Sequence, residues 1–389
     1  MSLFSSNESY IGVDIGNSAV KIVELENNKG RPKLLTYGYI DQTNEILISN
    51  SQEAKDKIVN ALKRLQEESH TQSTNAVAAL PSYTVFTSVI HLPDMPKKEL
   101  VAAVQWEAKK FVPMPIEEMI LDWKILEDGK LSTKFAANNT VAPNGEQSPV
   151  IPSSSAPEQQ ALDQKQSTIH EKGKKFLKIL LTAAPKDLVS RYLEIFKLAK
   201  LNLVSLETES FALERALIGN DPSPIMLVDI GAVATTISVV VDSVPLINRS
   251  IDIGGNTITK AIANSLNIDT DRAEQFKRDF GLTQQAGGAS DQIPKRIEFM
   301  VSSIISEVKY VLNLYQSQGE GNIEKIVLAG GSAWLPNITQ YLTQVLNKKV
   351  FIGDPWARVM YPLEMKPVLQ SIGPRLAVAT GLAMREISS

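Results

Sequence analysis

The string Val-Asp-Ile-Gly occurs twice, at 13–16 and at 228–231, each time where one extended apolar stretch turns into another. Around the first copy, 10–16 is a short apolar run, 20–26 alternates apolar and polar residues, and 33–40 is a third extended stretch. A helical pattern with Ile58, Leu62 and Leu65 on one face follows over 54–68, and then a short strand over 75–80. Around the second copy, 225–231, 235–241 and 244–253 repeat the three extended stretches, and a helix opens near Asn256. A three-strand meander followed by a helix is therefore written twice. Internal duplication is the simplest explanation, and it predicts an α/β chain of two related lobes, headed by Asp14 and Asp229.

The length fits this reading. A chain of 389 residues exceeds what one hydrophobic core usually organises, and 43% hydrophobic with 21% charged residues is ordinary for a globular protein. No run approaches the roughly 18 apolar residues of a membrane span; the longest candidate, 225–247, is interrupted by Asp229 and Asp242. Residues 1–10 lack a basic start and an apolar signal core, and there is no cysteine, which fits a reducing cytoplasm. A net charge of -3 argues against nucleic acid as the main partner. His70, His91 and His170 are scattered, so no transition-metal site is expected.

Between the two copies, 96–111 reads as an amphipathic helix with Leu100, Val104, Ala108 and Phe111 on one face and Pro96 suited to its first turn. Residues 129–174 are rich in Ser, Asn, Gln, Pro and Lys with almost no aromatics, and read as a disordered loop. The Gly- and Gln-rich stretch 283–292 reads as a second mobile loop. Order resumes with a strand at 175–182 and a helix N-capped by Asp187, with Leu188, Tyr192, Ile195 and Ala199 on one face. Helices at 294–316 and 337–346, a buried strand at 325–328 and a closing helix after Pro374 complete an α/β alternation. The expected division is a first lobe of 8–80 and 185–220, an inserted domain of 81–184 and a second lobe of 221–389, whose last helix, 374–387, returns to the first lobe.

An aspartate between Val and Ile at a strand end is partly desolvated, which costs several kcal/mol without a compensating cation or donors. At Asp14 a magnesium ion held through water would compensate. Gly16 lets backbone approach a phosphate, Asn17 and Ser18 supply donors, and Lys21 adds positive charge. The plainer alternative is a tight hairpin whose aspartate caps the turn. The second copy, Asp229 to Thr235, favours opposed phosphate loops with a carboxylate from each side. A third element, 327–337, runs from a strand through Gly330 and Gly331 into a helix, leaving bare backbone for a base or ribose, or making only a tight turn. In 271–278, Glu274 and Lys277 stand three apart on one helix face, a pattern equally at home on a solvated surface.

In this order, Asp14-x-Gly16-x-Ser18 with Lys21, the second Asp229-x-Gly231, Ala273-Glu274-x-x-Lys277 and Gly330-Gly331-Ser332-x-x-x-Pro336 resemble the actin-like ATPases. That family includes actin, FtsA, MreB and the large heat-shock chaperones, and the resemblance spans 10–387 apart from the 129–174 loop. Three further strings are similar to the FtsA-related PilM proteins in particular: Arg-Ser-Ile-Asp-Ile-Gly-Gly-Asn-Thr-Ile-Thr at 249–259, Leu-Glu-Thr-Glu-Ser-Phe-Ala-Leu at 206–213, and Trp-Glu-Ala-Lys-Lys-Phe-Val-Pro-Met-Pro at 106–115. Ala232 and Val233, where other relatives usually carry more glycine, agree.

The resemblance implies an actin-like fold, two duplicated lobes around a nucleotide cleft, with the small inserted domain that FtsA and PilM carry. It implies ATP or ADP with Mg2+ as cofactors, the metal held by Asp14 and Asp229 through water. The nucleotide contacts carried over are Asp14, Gly16, Asn17, Ser18 and Lys21; Asp229, Gly231, Ala232 and Thr235; Gly254 and Gly255; Glu274 and Lys277; and Gly330, Gly331 and Ser332. Glu207 would position the attacking water, and the bulk at Ala232 and Val233 implies slow or no hydrolysis. As partner the resemblance implies a single-span PilN-like membrane protein, whose cytoplasmic N-terminal tail would lie between the inserted domain and the first lobe, with pilus motor ATPases as further contacts. The implied role is a cytoplasmic scaffold of type IV pilus assembly, peripheral at the inner face of the inner membrane and without insertion of its own.

Two other readings stay open on the sequence. An FtsA-like division protein would tether filaments to membrane, although 375–389 lacks the aromatic and polybasic faces of an interfacial helix. A small-molecule kinase of the same fold would need an aspartate base facing a second substrate, and none stands out beyond Asp14 and Asp229.

Overall fold

The computed structural model describes residues 8–42, 51–112, 114–127, 130–131, 176–283, 292–319 and 321–387. The chain opens with β1 (Ser9–Ile15), β2 (Ala19–Asn28), β3 (Arg31–Asp41), α1 (Gln52–Glu68) and β4 (Asn75–Leu80). It continues through β5 (Phe86–Pro93), α2 (Lys97–Phe111), β6 (Met119–Glu127), β7 (Lys130–Leu131) and β8 (Phe176–Pro185), then α3 (Lys186–Leu198), β9 (Asn202–Thr208) and α4 (Glu209–Leu217). The second half carries β10 (Ile225–Ile230), β11 (Thr235–Val241), β12 (Val244–Ile251), α5 (Gly255–Leu266), α6 (Thr270–Phe280), α7 (Gln292–Ser317), β13 (Lys325–Ala329), α8 (Ile338–Leu346), β14 (Lys349–Ile352) and α9 (Lys366–Met384).

Two five-stranded sheets have the same plan, β3-β2-β1-β4-β9 and β12-β11-β10-β13-β14. In each, the first three strands form an antiparallel meander and the last two add in parallel to the first. The duplication expected from the paired Val-Asp-Ile-Gly strings is thus written in the topology. A third sheet, β5-β8-β6-β7, lies in sequence between β4 and β9 and has its own core under α2, with Leu100, Val104, Trp123 and Leu181 buried together.

Alternation along the first strand of each lobe decides which face carries what. Ile11, Val13 and Ile15 point outward into a core with Ile58 and Leu62 of α1 and Tyr192 and Phe196 of α3. Met226, Val228 and Ile230 do the same against α5, α7 and α8. The inner faces are left to Gly12 and Asp14 on β1 and to Leu227 and Asp229 on β10. Between the two inner faces lie α4 and α9, and Ala212, Leu213, Ala377 and Val378 bury there with Val77 and Ala79 from one sheet and Leu227 and Val240 from the other. This sandwich places the ends of β1 and β10 opposite each other.

Several local expectations shift. Pro185, not Asp187, stands at the cap of α3, and Asp187 accepts from the Leu188 N–H instead. The last helix begins at Lys366 and runs through Pro374. A proline removes one helical hydrogen bond; here packing holds the turn, with Leu369 fully buried and its carbonyl accepting from Trp356 Nε1 at 2.7 Å. Strands β5, β6, β9 and β14 add to the expected elements, and α4 is the helix expected to follow Glu207 and join the two halves. Of the 129–174 loop only the short strand β7 is described, and the rest, like 284–291, lies outside the described residues.

A Cβ built on Gly12 would overlap the Ala379 carbonyl of α9, and one on Gly381 would overlap the Ala212 carbonyl of α4. Gly12→Ala and Gly381→Ala should therefore each lower folding stability by about 1–3 kcal/mol through overpacking against backbone. Urea unfolding measures this, and parent-like midpoints would show that the helices can move apart freely.

Candidate functional site: a cleft between two facing hairpins

Asp14 stands directly across the β1–β2 ladder from Lys21, and Lys21 Nζ reaches its carboxylate at 2.7 Å with Asp14 only 4% exposed. The turn between them is closed by Gly16 N–H donating to Ala19 O at 2.9 Å. In the second lobe Gly231 N–H donates to Ala234 O at 3.0 Å, and Asp229 stands across from Thr236, not a lysine. Both carboxylates and the Lys21 ammonium group line the same cavity. Burial lifts the Asp229 carboxyl to about 6, with Lys21 pulling it down and Asp14 pushing it up.

A cavity of about 840 Å³ opens between the hairpins. Of the residues singled out in the sequence, Asp14, Gly16, Asn17, Ser18 and Lys21 line one wall, and Asp229, Gly231, Ala232 and Gly255 the other. Glu274, Lys277, Gly330, Gly331 and Ser332 line the far end. Thr235 and Gly254 lie just behind the lining and shape it. Thr235 Oγ1 donates to Ile253 O at 2.6 Å, and Gly254 packs against the Ala232 backbone. The first N–H groups of α5, on Gly255 and Asn256, donate to Gly231 O and Ala232 O at 2.9 and 2.8 Å. The second loop is therefore clamped by a helix start, and the bulk at Ala232 sits on a rigid base.

At the far end the solvated-surface alternative for α6 gives way. Lys277 is 7% exposed and donates to Gly255 O, to Thr259 Oγ1 and to Glu274 Oε2, the last at 2.6 Å. Burial pulls Lys277 below its ordinary value against the carboxylate's support. On Glu274 burial works upward, but Lys277, Thr259 and Arg278 together hold it below the usual range. Gly330 adopts φ 83°, a left-handed conformation in which any side chain would also collide with Asp229 and Ile230. A Cβ on the neighbouring Gly331 would meet no protein atom within 4 Å, so bare backbone faces the cavity there.

Glu207 does not reach this cavity. Both its carboxylate oxygens accept from the Arg215 guanidinium, at 2.8 and 3.0 Å, and Arg215 donates on to Gly381 O. Two residues later, Glu209 opens α4 and lines the cleft, accepting from Ser82 N–H at 2.8 Å. Burial, then Asp229 and Asp14, push its carboxyl up to about 8. Glu207 and Glu209 stand two apart in the string Glu207-Thr208-Glu209, and which of them lines the cavity was unreadable without the end of strand β9. Tyr83, Thr259, Trp334 and Arg375 also line the cleft. Arg375 lies over the Tyr39 ring and pairs with Asp41, bordering the cavity beside Lys21. Among the described residues, no group of three or more His, Cys, Asp or Glu is placed to hold a metal directly, and no helix is long and apolar enough to cross a membrane.

A family model described as Type IV pilus assembly protein PilM matches residues 12–141 and 144–387. The chain belongs to the PilM family. A solved structure described as a PilM-PilN type IV pilus biogenesis complex is similar at 26% identity and TM-score 0.76, covering 98% of this chain and 99% of that one. The cell division protein FtsA of Bacillus subtilis is 24% identical over 199 residues, 45% of this chain and 44% of its own length. FtsA of Enterococcus faecalis is 19% identical over 371 residues, 89% of this chain and 78% of that one. The chain thus spans less than half the length of the first of these curated relatives. MreB5 of Spiroplasma citri, solved bound to AMPPNP, shares the fold at 12% identity and TM-score 0.50, over 97% of this chain and 96% of that one. The actin-like fold expected for a PilM family member is the fold observed.

The folded protein keeps a proton on Glu209 from its ordinary value of 4.5 up to about 8. Because the folded state then binds more protons than the unfolded one, stability falls as pH rises through that window. Glu209→Gln removes this titration, so its melting temperature should fall less than the parent's between about pH 5 and pH 8. Equal slopes in the two proteins would contradict the raised carboxyl.

Proposed function

We propose that this chain is a nucleotide-binding scaffold of type IV pilus assembly, which holds Mg-ATP or Mg-ADP in the cleft and binds the cytoplasmic N-terminal tail of a single-span PilN-like membrane protein. The observation that carries the first half is the pair of facing hairpins, with Asp14, paired to Lys21, and Asp229 lining a cavity that also exposes bare glycine backbone. The donor set suits the cofactor. Gly16, Asn17, Ser18 and Lys21 would hold phosphates, and Asp14 and Asp229 would hold magnesium through its water. Glu274, Lys277 and the Gly330–Ser332 backbone would take the adenosine. Bound magnesium would supply charge neutralisation for the phosphates and for the two carboxylates.

If water attacks a terminal phosphate here, Glu209 orients it, taking the role first expected of Glu207, whose carboxylate is engaged by Arg215. Without metal, burial and the two aspartates raise the Glu209 carboxyl to about 8, and bound magnesium would relieve the part due to the aspartates. Ala232 in a second loop clamped by the start of α5 favours slow hydrolysis and a nucleotide that serves structure or signalling. The second half of the proposal is supported by family membership and by the similarity to a solved PilM-PilN complex. The protein would act at the inner face of the inner membrane, recruited by its partner.

Gly331→Val should leave the fold intact, since its side chain enters open space, yet weaken Mg-ATP binding at least tenfold by filling the adenosine end. Asp229→Ala should abolish the magnesium dependence of binding. Parent-like titrations for both variants would remove the nucleotide from this cleft. A labelled peptide copied from the tail of the partner encoded by the same organism should bind the nucleotide-loaded protein, and no binding with or without Mg-ATP would refute the scaffold role.

A further inference from the structure

The chain leaves the first lobe for the inserted sheet through one short turn. Pro81 follows β4, Ser82–Thr84 makes a single 3-10 turn, and β5 begins at Phe86. Pro81 and Tyr83 line the nucleotide cleft, so the root of the inserted sheet is part of the cleft wall. Two hydrogen bonds tie the turn to two different parts of the site. Asn17 Nδ2, in the first phosphate loop, donates to Tyr83 Oη at 2.9 Å. Ser82 N–H donates to Glu209 Oε2, at the start of α4, at 2.8 Å.

The body of the inserted sheet is held by contacts of another kind. Leu126 and Leu180 bury with Val244 of β12, and Val89, Leu246 and Phe211 pack against them. Lys124 of β6 reaches over the Phe211 ring. The β12 strand also runs beside β5 and beside the root turn. Among the described residues the inserted sheet therefore rests on β12 and on Phe211 of α4 through a small apolar contact, with none of its strands paired to the second lobe's sheet. Such a contact is non-directional and tolerates a change of angle better than a strand ladder does. Polar bonds at the root, by contrast, fix direction.

We infer that the 82–84 turn is a relay between the cleft and the inserted sheet: Asn17 and Glu209 serve both the nucleotide site and the root turn, so occupancy of the cleft sets the angle of the inserted sheet on the second lobe. The coupling to tail binding rests on the proposed function, because the proposed tail groove borders this sheet; the change of angle requires only that nucleotide binds. A hydrogen bond of this kind bounds the coupling at about tenfold in affinity.

The chain has no cysteine, so a single pair of introduced thiols can be labelled cleanly. Gln105→Cys on α2 and Lys309→Cys on α7 are both exposed and report the inserted sheet against the second lobe. Spin-label distances are measured in the full chain, alone and at saturating Mg-ATP, with occupancy read separately by titration. The expected result is a shifted distance distribution with Mg-ATP, and loss of most of that shift in Tyr83→Phe, which keeps the ring and removes only the hydroxyl. An unshifted parent with a filled cleft, or a full shift in Tyr83→Phe, overturns the relay. Failure of Mg-ATP to bind the parent overturns the relay and the proposed cleft together. In a parallel titration, Mg-ATP should change tail-peptide affinity up to tenfold in the parent and little in Tyr83→Phe. If the peptide fails to bind the parent at all, the partner assignment falls while the distances still decide the relay.

Discussion

The close approach of α9 to β1 and to α4 governs the rest of the structure. Only glycine at 12 and at 381 lets two backbone carbonyls come so near, and with that approach the two central helices fill the gap between the sheets. Once the inner faces are spaced in this way, strand alternation leaves nowhere for Asp14 and Asp229 but the mouth of the gap. The cleft follows from the packing beneath it. Arg215 reinforces the same junction by bridging Glu207 to the Gly381 carbonyl.

The charge arrangement follows from an asymmetry in the duplication. One hairpin carries Lys21 opposite its aspartate, and the other carries Thr236, whose hydroxyl is within 3.0 Å of that of Ser250. Three acidic groups, Asp14, Asp229 and Glu209, thus line one cavity with one lysine, and burial together with their mutual repulsion raises the carboxyls of Asp229 and Glu209. A divalent cation would relieve that repulsion, which gives the proposed magnesium a physical role in the cleft. At the other end the charges are already paired within the protein, Glu274 with Lys277 and Arg278, and present a formed wall.

The parts legible in the sequence were those in which local pattern and tertiary role coincide. A strand-end Asp followed by a turn glycine, twice, carried both the duplication and the cleft, and the Gly330-Gly331 step marked the far wall. Other parts were hidden because their signal is not local. Strand β9 begins with Asn202 and mixes burial classes, so Glu207 and Glu209 could not be told apart by register. Pro374 looked like a helix start, yet α9 runs through it because Trp356, distant in sequence, supports the preceding turn. Tyr83 sits in a three-residue turn with no periodicity, and only its bond to Asn17 gives it meaning. Lys277 looked like a surface lysine because its burial comes from the Gly255 turn and Thr259, both contributed by another helix.

The most direct test of the cleft as a nucleotide site is photolabelling of the intact protein with 8-azido-ATP and magnesium, followed by mapping of the modified peptides. A nucleotide seated between the two hairpins places the label within 270–280 or 330–335, and excess unlabelled ATP removes it. Label that is competed away by ATP yet lies elsewhere, on the inserted sheet or the outer helices, would contradict the site built from Asp14, Asp229 and the Gly330–Gly331 backbone.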